Sequence, residues 1–516
     1  MAQRHAGGLR CRPGLVRPGL VRPVLLLAAA AALAAAAALA VPPSLRAGAA
    51  GHRPTTASHP TTGLSPSARV GAGVVVASFD GHRLVETWSR RLPDAGGPIA
   101  MSSPTSAVVS GRRAVVVGDL AGNLWALQLS DGSTIPGWPY RAGAPIESSP
   151  SAAGGQVTFG VGSAADPAVA GGYRAVWASG RGSGTLRWSR TVTLTPSGGR
   201  VTGVAAGLAY GRLQGRIAVV GGSLGQLEDA LTASSGRPLP GFPWFQSDTQ
   251  FDTPAVANLG HGNVIIQGGS STANPHFHPP YYNGGHLRIL SATGRPLCNH
   301  NTNEEMDSSP AVGRFLAGGA VGIVAGTGTY YRGVSDEDAL IAMRTNCSVA
   351  WEIHLAGSTA SSPALVRAQP GGLQIAMGAA NGQRGAAYLV DGATGRVLWS
   401  RPLDGAVIGG ITSADLGGGL QDLLVPTTHG LYLLDGRTGG VLATVPYVGL
   451  QSSPLVTDDA NGLIGITIAG YNGHGAGVVE HFEVTRTVGA RADEVGAWPM
   501  FHHDPLLTGS ALPASG

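Results

Sequence analysis

From about residue 70 onward the chain is a succession of short apolar runs separated by Gly, Asp, Asn and Ser clusters. One kind of run ends in small residues: "AVVVGD" from Ala114, "IAVVGG" from Ile217, "VIIQGG" from Val264, "VGIVAG" from Val321, "LQIAMGAA" from Leu373 and "DLLVPTT" from Asp422. A Gly/Asn turn leads from it to a second kind, as in "GNLWALQL", "GHLRILSA", "ALIAMRT", "AAYLVDG" and "HGLYLLDG". A further turn, often Thr-Gly or Ser-Gly, precedes a last run such as "RVLWSRPL" or "SVAWEIHL". Short apolar runs bounded by turn residues predict strands joined by hairpins. No unit carries a helical period over ten or more residues, which excludes helical-solenoid repeats.

Each group of runs opens with Ser-Ser-Pro or a variant: Ser102–Pro104, Ser148–Pro150, Thr253–Pro254, Ser308–Pro310, Ser361–Pro363 and Ser452–Pro454. Weaker members near Val201 and Ile411 complete about eight units, about 41–55 residues apart. That period matches the four-stranded blade of a β-propeller. A lone four-stranded sheet buries neither face, whereas radial stacking buries both, which explains strands that are apolar almost throughout. A proline is tolerated at the start of a strand, where the motif places it. The expected fold is therefore all-β: a β-propeller of eight four-stranded blades, with seven as the alternative, behind an N-terminal hydrophobic helix. Trp351 and Trp399 fall on fourth strands and are expected to pack between blades. The segment "HRLVETWSRRL" with Trp88 reads as an isolated fourth strand that completes the last blade. The ending "GAWPMFHHDPLLTG", with His502, His503 and Asp504, is expected to be an irregular tail capping that blade.

The first 68 residues read differently. Residues 1–23 are basic and Pro-rich, Val24 to Val41 is an unbroken apolar run, and 42–68 is a Pro/Thr/Ser-rich linker. The run lies between the usual lengths of a signal-peptide core and a membrane span. A long basic leader favours a retained anchor with its N-terminus in the cytoplasm, and either reading puts the body outside the cytoplasm. The expected organisation is leader 1–23, apolar segment 24–41, linker 42–68, propeller 69–510 and tail 511–516.

Composition sharpens this picture. The 81 glycines suit many tight turns. The chain has no lysine, which excludes a P-loop NTPase or a Schiff-base enzyme. The formal charge of +4 falls to about −2 once the six arginines at positions 4, 10, 12, 17, 22 and 46 are set aside. A near-neutral body argues against nucleic acid as a partner.

At Tyr388 to Ser400, "YLVDGATGRVLWS", the chain resembles the repeat of pyrroloquinoline-quinone-type propellers, through Asp391, Thr394, Gly395, Arg396 and Trp399. "YLLDGRTGGVLATV" repeats the pattern without the Trp. The stretch "DLGGGLQDLLVPTTHGLYLLDG" is also similar to FG-GAP repeats of extracellular propellers, and "WPMFHHDPLLTG" to a segment that accompanies both kinds. The resemblance covers residues 70–510 and implies the fold. For chemistry it implies a quinone with calcium, a catalytic Asp and a vicinal cysteine pair. None of the three cysteines are adjacent and there is no CxxCH. The FG-GAP calcium turn is likewise depleted between Asp415 and Asp422, and in "TDDANG", so plain turns are expected there.

Cys298 and Cys347 lie in the outer parts of consecutive units and are expected to form a disulfide in an oxidising compartment. Gly221–Gly225, "GGSLG", matches a nucleophile elbow but sits in a hairpin, where the pattern carries no chemistry. The most unusual loop runs from Ser270 to His286. Its His276, His278 and His286 are candidate metal ligands, and Phe277, Tyr281 and Tyr282 are candidate binding residues for a protein or glycan. His300, Glu304, Glu305 and Asp307 follow closely. The reading that emerges is a monomeric, non-catalytic binding or scaffolding propeller of the cell envelope, needing no cofactor and attached to the membrane if the apolar segment is retained. The alternative is a divergent dehydrogenase using pyrroloquinoline quinone and calcium to oxidise alcohols or sugars.

Overall fold

The computed structural model describes residues 73–93, 97–194, 201–246, 248–271, 284–459, 462–485 and 498–511. The apolar run 24–41 lies outside them. Among the described residues no helix is long and apolar enough to cross a membrane, and two short 3₁₀ turns are the only helical elements.

Eight sheets, each of four or five strands and antiparallel except where the C-terminal segment joins blade 4, form an eight-bladed propeller. Blades 1 to 7 span 105–141, 151–191, 209–245, 255–302, 311–354, 364–404 and 412–446. Each innermost strand begins directly after the motif proline or its equivalent. The weak repeat members near 201 and 411 do open blades 3 and 7. Second strands are buried almost end to end, as at Ile464–Gly470, because both faces meet a neighbouring blade.

Blade 8 is shared between the chain ends, as the sequence suggested. Leu455–Asp458, Ile464–Gly470 and Val478–Thr485 supply three strands, and His82–Arg91 supplies the fourth, with Trp88 opposite His481. Val74–Phe79 adds an outermost fifth strand that the sequence did not reveal.

The seams between blades show why the turn motif exists. Asp391 Oδ1 accepts the backbone N–H and the hydroxyl of Thr394 and so shapes the turn. The turn then presents Gly395 at φ 75 to the Trp351 ring of the preceding blade, where an added Cβ would come within 2.8 Å of the indole. Trp351 Nε1 donates to Gly392 O at 2.9 Å. Trp399 docks in the same way on Gly439 and donates to Gly436 O. Trp88 and Trp188 do so on Gly132 and Gly236.

At the seam of blades 4 and 5 a disulfide takes over this contact. Cys298 pairs with Ile289 in the register where Trp399 pairs with Leu389. Cys347, at φ 63, stands in the turn where Gly395 stands, and the Cys298–Cys347 bond joins the two blades with Cα atoms 5.7 Å apart. The expected pairing is present. The loop it closes spans 49 residues, for which chain entropy corresponds to about 4 kcal/mol. Reduction, or Cys298→Ser, is expected to lower the unfolding free energy by that order, seen as a lower denaturant midpoint at unchanged m. An unchanged midpoint would show that packing alone holds this seam.

The C-terminal segment is not a cap on the last blade. It runs through the central channel and bonds the inner strands of six blades. Trp498 O and Pro499 O accept from the N–H groups of Leu365 and Ser413 in blades 6 and 7. Pro505 O, Leu506 O, Thr508 O and Gly509 O accept from Ser106, Ala152, Tyr210 and Val256 in blades 1 to 4. Ser510–Ala511 then pairs in parallel with Val256 and Ala257. Asp504 organises the curl by accepting from the N–H groups of Leu506 and Thr508. Gly509 fits because a Cβ would lie 2.0 Å from His502 Nε2. Burial pushes the His502 imidazole down to about 4, so it is neutral. The inner strands face the axis and lack a further strand partner, so the tail supplies acceptors they would otherwise seek in water.

Candidate functional site: the mouth of the central channel

The repeated Ser-Ser-Pro motifs meet at one end of the channel, and their serines tie the blades into a collar. The first serine donates outward to the next blade: Ser102 Oγ to Ser148 O, Ser148 Oγ to Ala206 O, Ser308 Oγ to Ser361 O and Ser361 Oγ to Gly409 O. The second hydroxyl accepts from the preceding blade: Ser103 N–H to Ser149, Gly207 N–H to Thr253, Thr253 N–H to Ser309 and Gly410 N–H to Ser453. Ser453 N–H to Ser103 Oγ, 3.0 Å, closes the belt across the chain ends. The sequence exposed the motif and the role of its proline, but not this use of its hydroxyls. The recurrence of a serine pair at the starts of blades 1, 2, 5, 6 and 8 was the available signal.

Inside the collar lies a cup of about 70 Å³ with Phe501 of the tail among its walls. The position before each motif forms the rim, including Met101, Phe251, Ile408, Gln451 and Asp307. Met101, Phe251 and Ile408 place partly exposed apolar side chains at the starts of blades 1, 4 and 7. The arc of blades 3 to 5 is acidic. Asp252 occupies the first-serine position of blade 4, fully buried, and its Oδ2 accepts Gly268 N–H at 2.8 Å. Burial, and then repulsion from Asp307, push its carboxyl up to about 8. Glu228 on blade 3 is raised well above the usual range by burial and by Asp252. Glu305 and Asp307 are both raised, each first by burial. Glu304 rises to about 7 through burial, although its carboxylate accepts from the N–H groups of Glu305, Tyr330 and Tyr331. This arc therefore holds protons at neutral pH rather than a full set of negative charges.

The loop candidates fall partly here. Residues 272–283 lie outside the described residues, so His276, Phe277, His278, Tyr281 and Tyr282 do too. The loop stems, Ser271 and Gly284, are hydrogen-bonded to each other beside this acidic arc. His286 is completely buried on the strand Gly285–Ser291, its Nδ1 2.7 Å from Ser271 Oγ. Burial and Arg288 lower its pKa well below normal, so the ring is neutral. His300 is placed on the outer strand Pro296–Thr302 of blade 4. Ser223 of "GGSLG" is buried in a strand-to-strand hairpin and bonds Leu227 O. Asp415 spends its Oδ1 on the N–H groups of Gly417 and Gly419, which is turn chemistry.

The quinone cofactor suggested by the repeat can be tested against this geometry. Pockets that enclose a small-molecule cofactor hold roughly 300–1,000 Å³. The cup offers about 70 Å³, walled largely by Ser, Ala and Gly with Phe501 beneath. These residues do not fit a tricyclic quinone.

The architecture defines the class: an eight-bladed β-propeller with shared terminal closure. Among solved structures the chain is similar to BamB from Moraxella catarrhalis, at 14% identity and TM-score 0.50, covering 78% of this chain and 99% of that one. It is also similar to Sqt1 from Saccharomyces cerevisiae, at 12% identity and TM-score 0.52, covering 74% and 96%. A quinohemoprotein alcohol dehydrogenase from Comamonas testosteroni aligns at 14% identity and TM-score 0.40, over 80% and 78%. At these identities the likeness is one of fold. No family model and no curated protein matches the sequence.

Proposed function

We propose that the protein is a non-catalytic binding or scaffolding propeller of the cell envelope, with its ligand seated on the channel mouth. The observation that carries this reading is the filled channel. The tail occupies the axis and leaves a shallow cup, so the mouth is a surface for docking rather than a chamber for reaction. Its apolar rim residues Met101, Phe251 and Ile408, the second of them among the carboxyl groups, suit a protein or glycan partner presenting apolar groups next to hydrogen-bond donors. The inter-blade disulfide supports an oxidising, extracytoplasmic location, as does the basic leader followed by an apolar run.

The test is reconstitution of the purified full chain with pyrroloquinoline quinone and calcium, followed by assay with alcohols and sugars. No turnover above the protein-free control is expected. Oxidation that saturates with substrate and is lost on calcium chelation would overturn the reading in favour of the dehydrogenase.

A further inference from the structure

The face opposite the mouth carries a separate constellation, in the groove between blades 8 and 1. His481 and Glu483 are two residues apart on the strand Val478–Thr485, so both side chains leave the same face. Asp459 follows the blade's innermost strand and folds over Gly465, where a Cβ would come within 2.3 Å of its Oδ2. The ligating atoms of Asp459, His481 and Glu483 all lie within 4.8 Å of one another. Asp459 and Glu483 open onto a groove of about 360 Å³, lined also by Arg112, Arg113, Gln128 and Ser130, with His481 buried behind them.

The histidine is held as a metal-ligating histidine usually is. Its Nδ1 lies 2.8 Å from Thr467 Oγ1, and its ring stacks on Trp88 with centroids 5.3 Å apart. That leaves Nε2 turned toward Asp459 Oδ2, at 2.8 Å. An outer partner on one ring nitrogen that orients the other is the usual support for a metal ligand. Arg113, whose side chain is 49% exposed, is the nearest cation, with Nη2 3.7 Å from Asp459 Oδ1. A half-exposed ion pair at that distance is weak, so its contact with Asp459 can give way to a divalent ion while Nη2 keeps its bond to Asp458 O.

We propose that Asp459, His481 and Glu483 form a binding site for a first-row divalent cation, with zinc as the best-matched ion and one coordination position open to the groove. One nitrogen and two carboxylates suit this class, and three protein ligands with a vacant fourth position are the pattern of an open zinc site. The site joins two strands of the blade that closes the ring, with Trp88 of the N-terminal strand stacked on its histidine.

The test is calorimetric titration of Zn²⁺ into the chelator-treated full chain, wild type and Glu483→Gln, with Co²⁺ absorption as a second readout. Glu483 is only partly buried, so Glu483→Gln is expected to unfold at the wild-type temperature. The expected result is a saturable site whose affinity falls at least about tenfold in Glu483→Gln, a conservative figure given that outer-shell partners alone are worth about 10–100-fold. The Co²⁺ visible band should shift in the same variant. Asp459→Asn, where it folds, is expected to act likewise. Absence of saturable binding, or the same affinity and Co²⁺ spectrum in Glu483→Gln as in wild type, would overturn the assignment and leave an ordinary ion-pair cluster.

Discussion

Deleting residues 498–516 is expected to lower the thermal midpoint of the propeller by roughly 5 °C. The tail contributes carbonyl acceptors to the inner strands of six blades. It also buries Trp498, Met500 and Leu507 to 3% exposure or less. Three such side chains correspond to about 2–3 kcal/mol each in transfer free energy. The six backbone hydrogen bonds add on the order of 1 kcal/mol each, ordering the segment offsets most of the sum, and a net loss on the order of 5 kcal/mol is expected. Unfolding entropy of about 2.1 cal/mol/K per residue converts each kcal/mol into about 1 °C for a domain of this size. A synthetic peptide of residues 498–511 added in trans should restore part of the loss, because the channel remains shaped to receive it. A truncated chain that melts within 1 °C of the full one would show that the tail merely lies in a channel that water fills equally well.

The second large effect is electrostatic. Asp252→Asn is expected to stabilise the protein, and the gain should grow with pH. The native carboxyl titrates at about 8, while its unperturbed value is 3.8. Between about pH 4 and 8 the unfolded chain has released this proton and the native state still holds it. The unfolded state then binds fewer protons, so native stability falls as pH rises through that window and is level on either side. The slope is about 1.4 kcal/mol per pH unit for one such group. Asparagine keeps an acceptor for Gly268 N–H and removes the ionisation. Urea midpoints at pH 5 and pH 7 provide the check, and the advantage of the variant should widen by about 2–3 kcal/mol between them. An advantage that is the same at both pH values would place the titration of Asp252 elsewhere.

These two predictions rest on features of unequal visibility in the sequence. The blade count, the Ser-Ser-Pro starts and the Trp-bearing fourth strands are all properties of a repeat, and a repeat advertises itself by recurrence. The Trp88 strand could be matched to the last blade because a fourth strand stood unpaired at one end of the chain while a blade lacked one at the other. The acidic arc gave no such sign. Glu228, Asp252 and Asp307 come from three blades, and nothing in their local sequence separates them from surface carboxylates. The same holds for Asp459 and His481, which lie 22 positions apart and meet only because Asp459, just past the inner strand, folds across Gly465 of the second strand to reach the third.

The sequence by itself determined the architecture. Strand periodicity, turn chemistry and the need to cover both faces of every sheet leave radial stacking as the arrangement consistent with these runs. It also pointed to the disulfide, since the two cysteines lie in the outer parts of consecutive units. Only the tertiary structure decided how the channel is used. The tail has no apolar period and no repeat partner, and its hydrogen bonds go to backbone groups, which carry no sequence signature. Its path therefore depends on the inner strands already standing in a ring. The serine collar, the 70 Å³ cup and the raised carboxyls at its edge follow from that closure, because burial of these groups exists only after eight separate segments have converged on one axis.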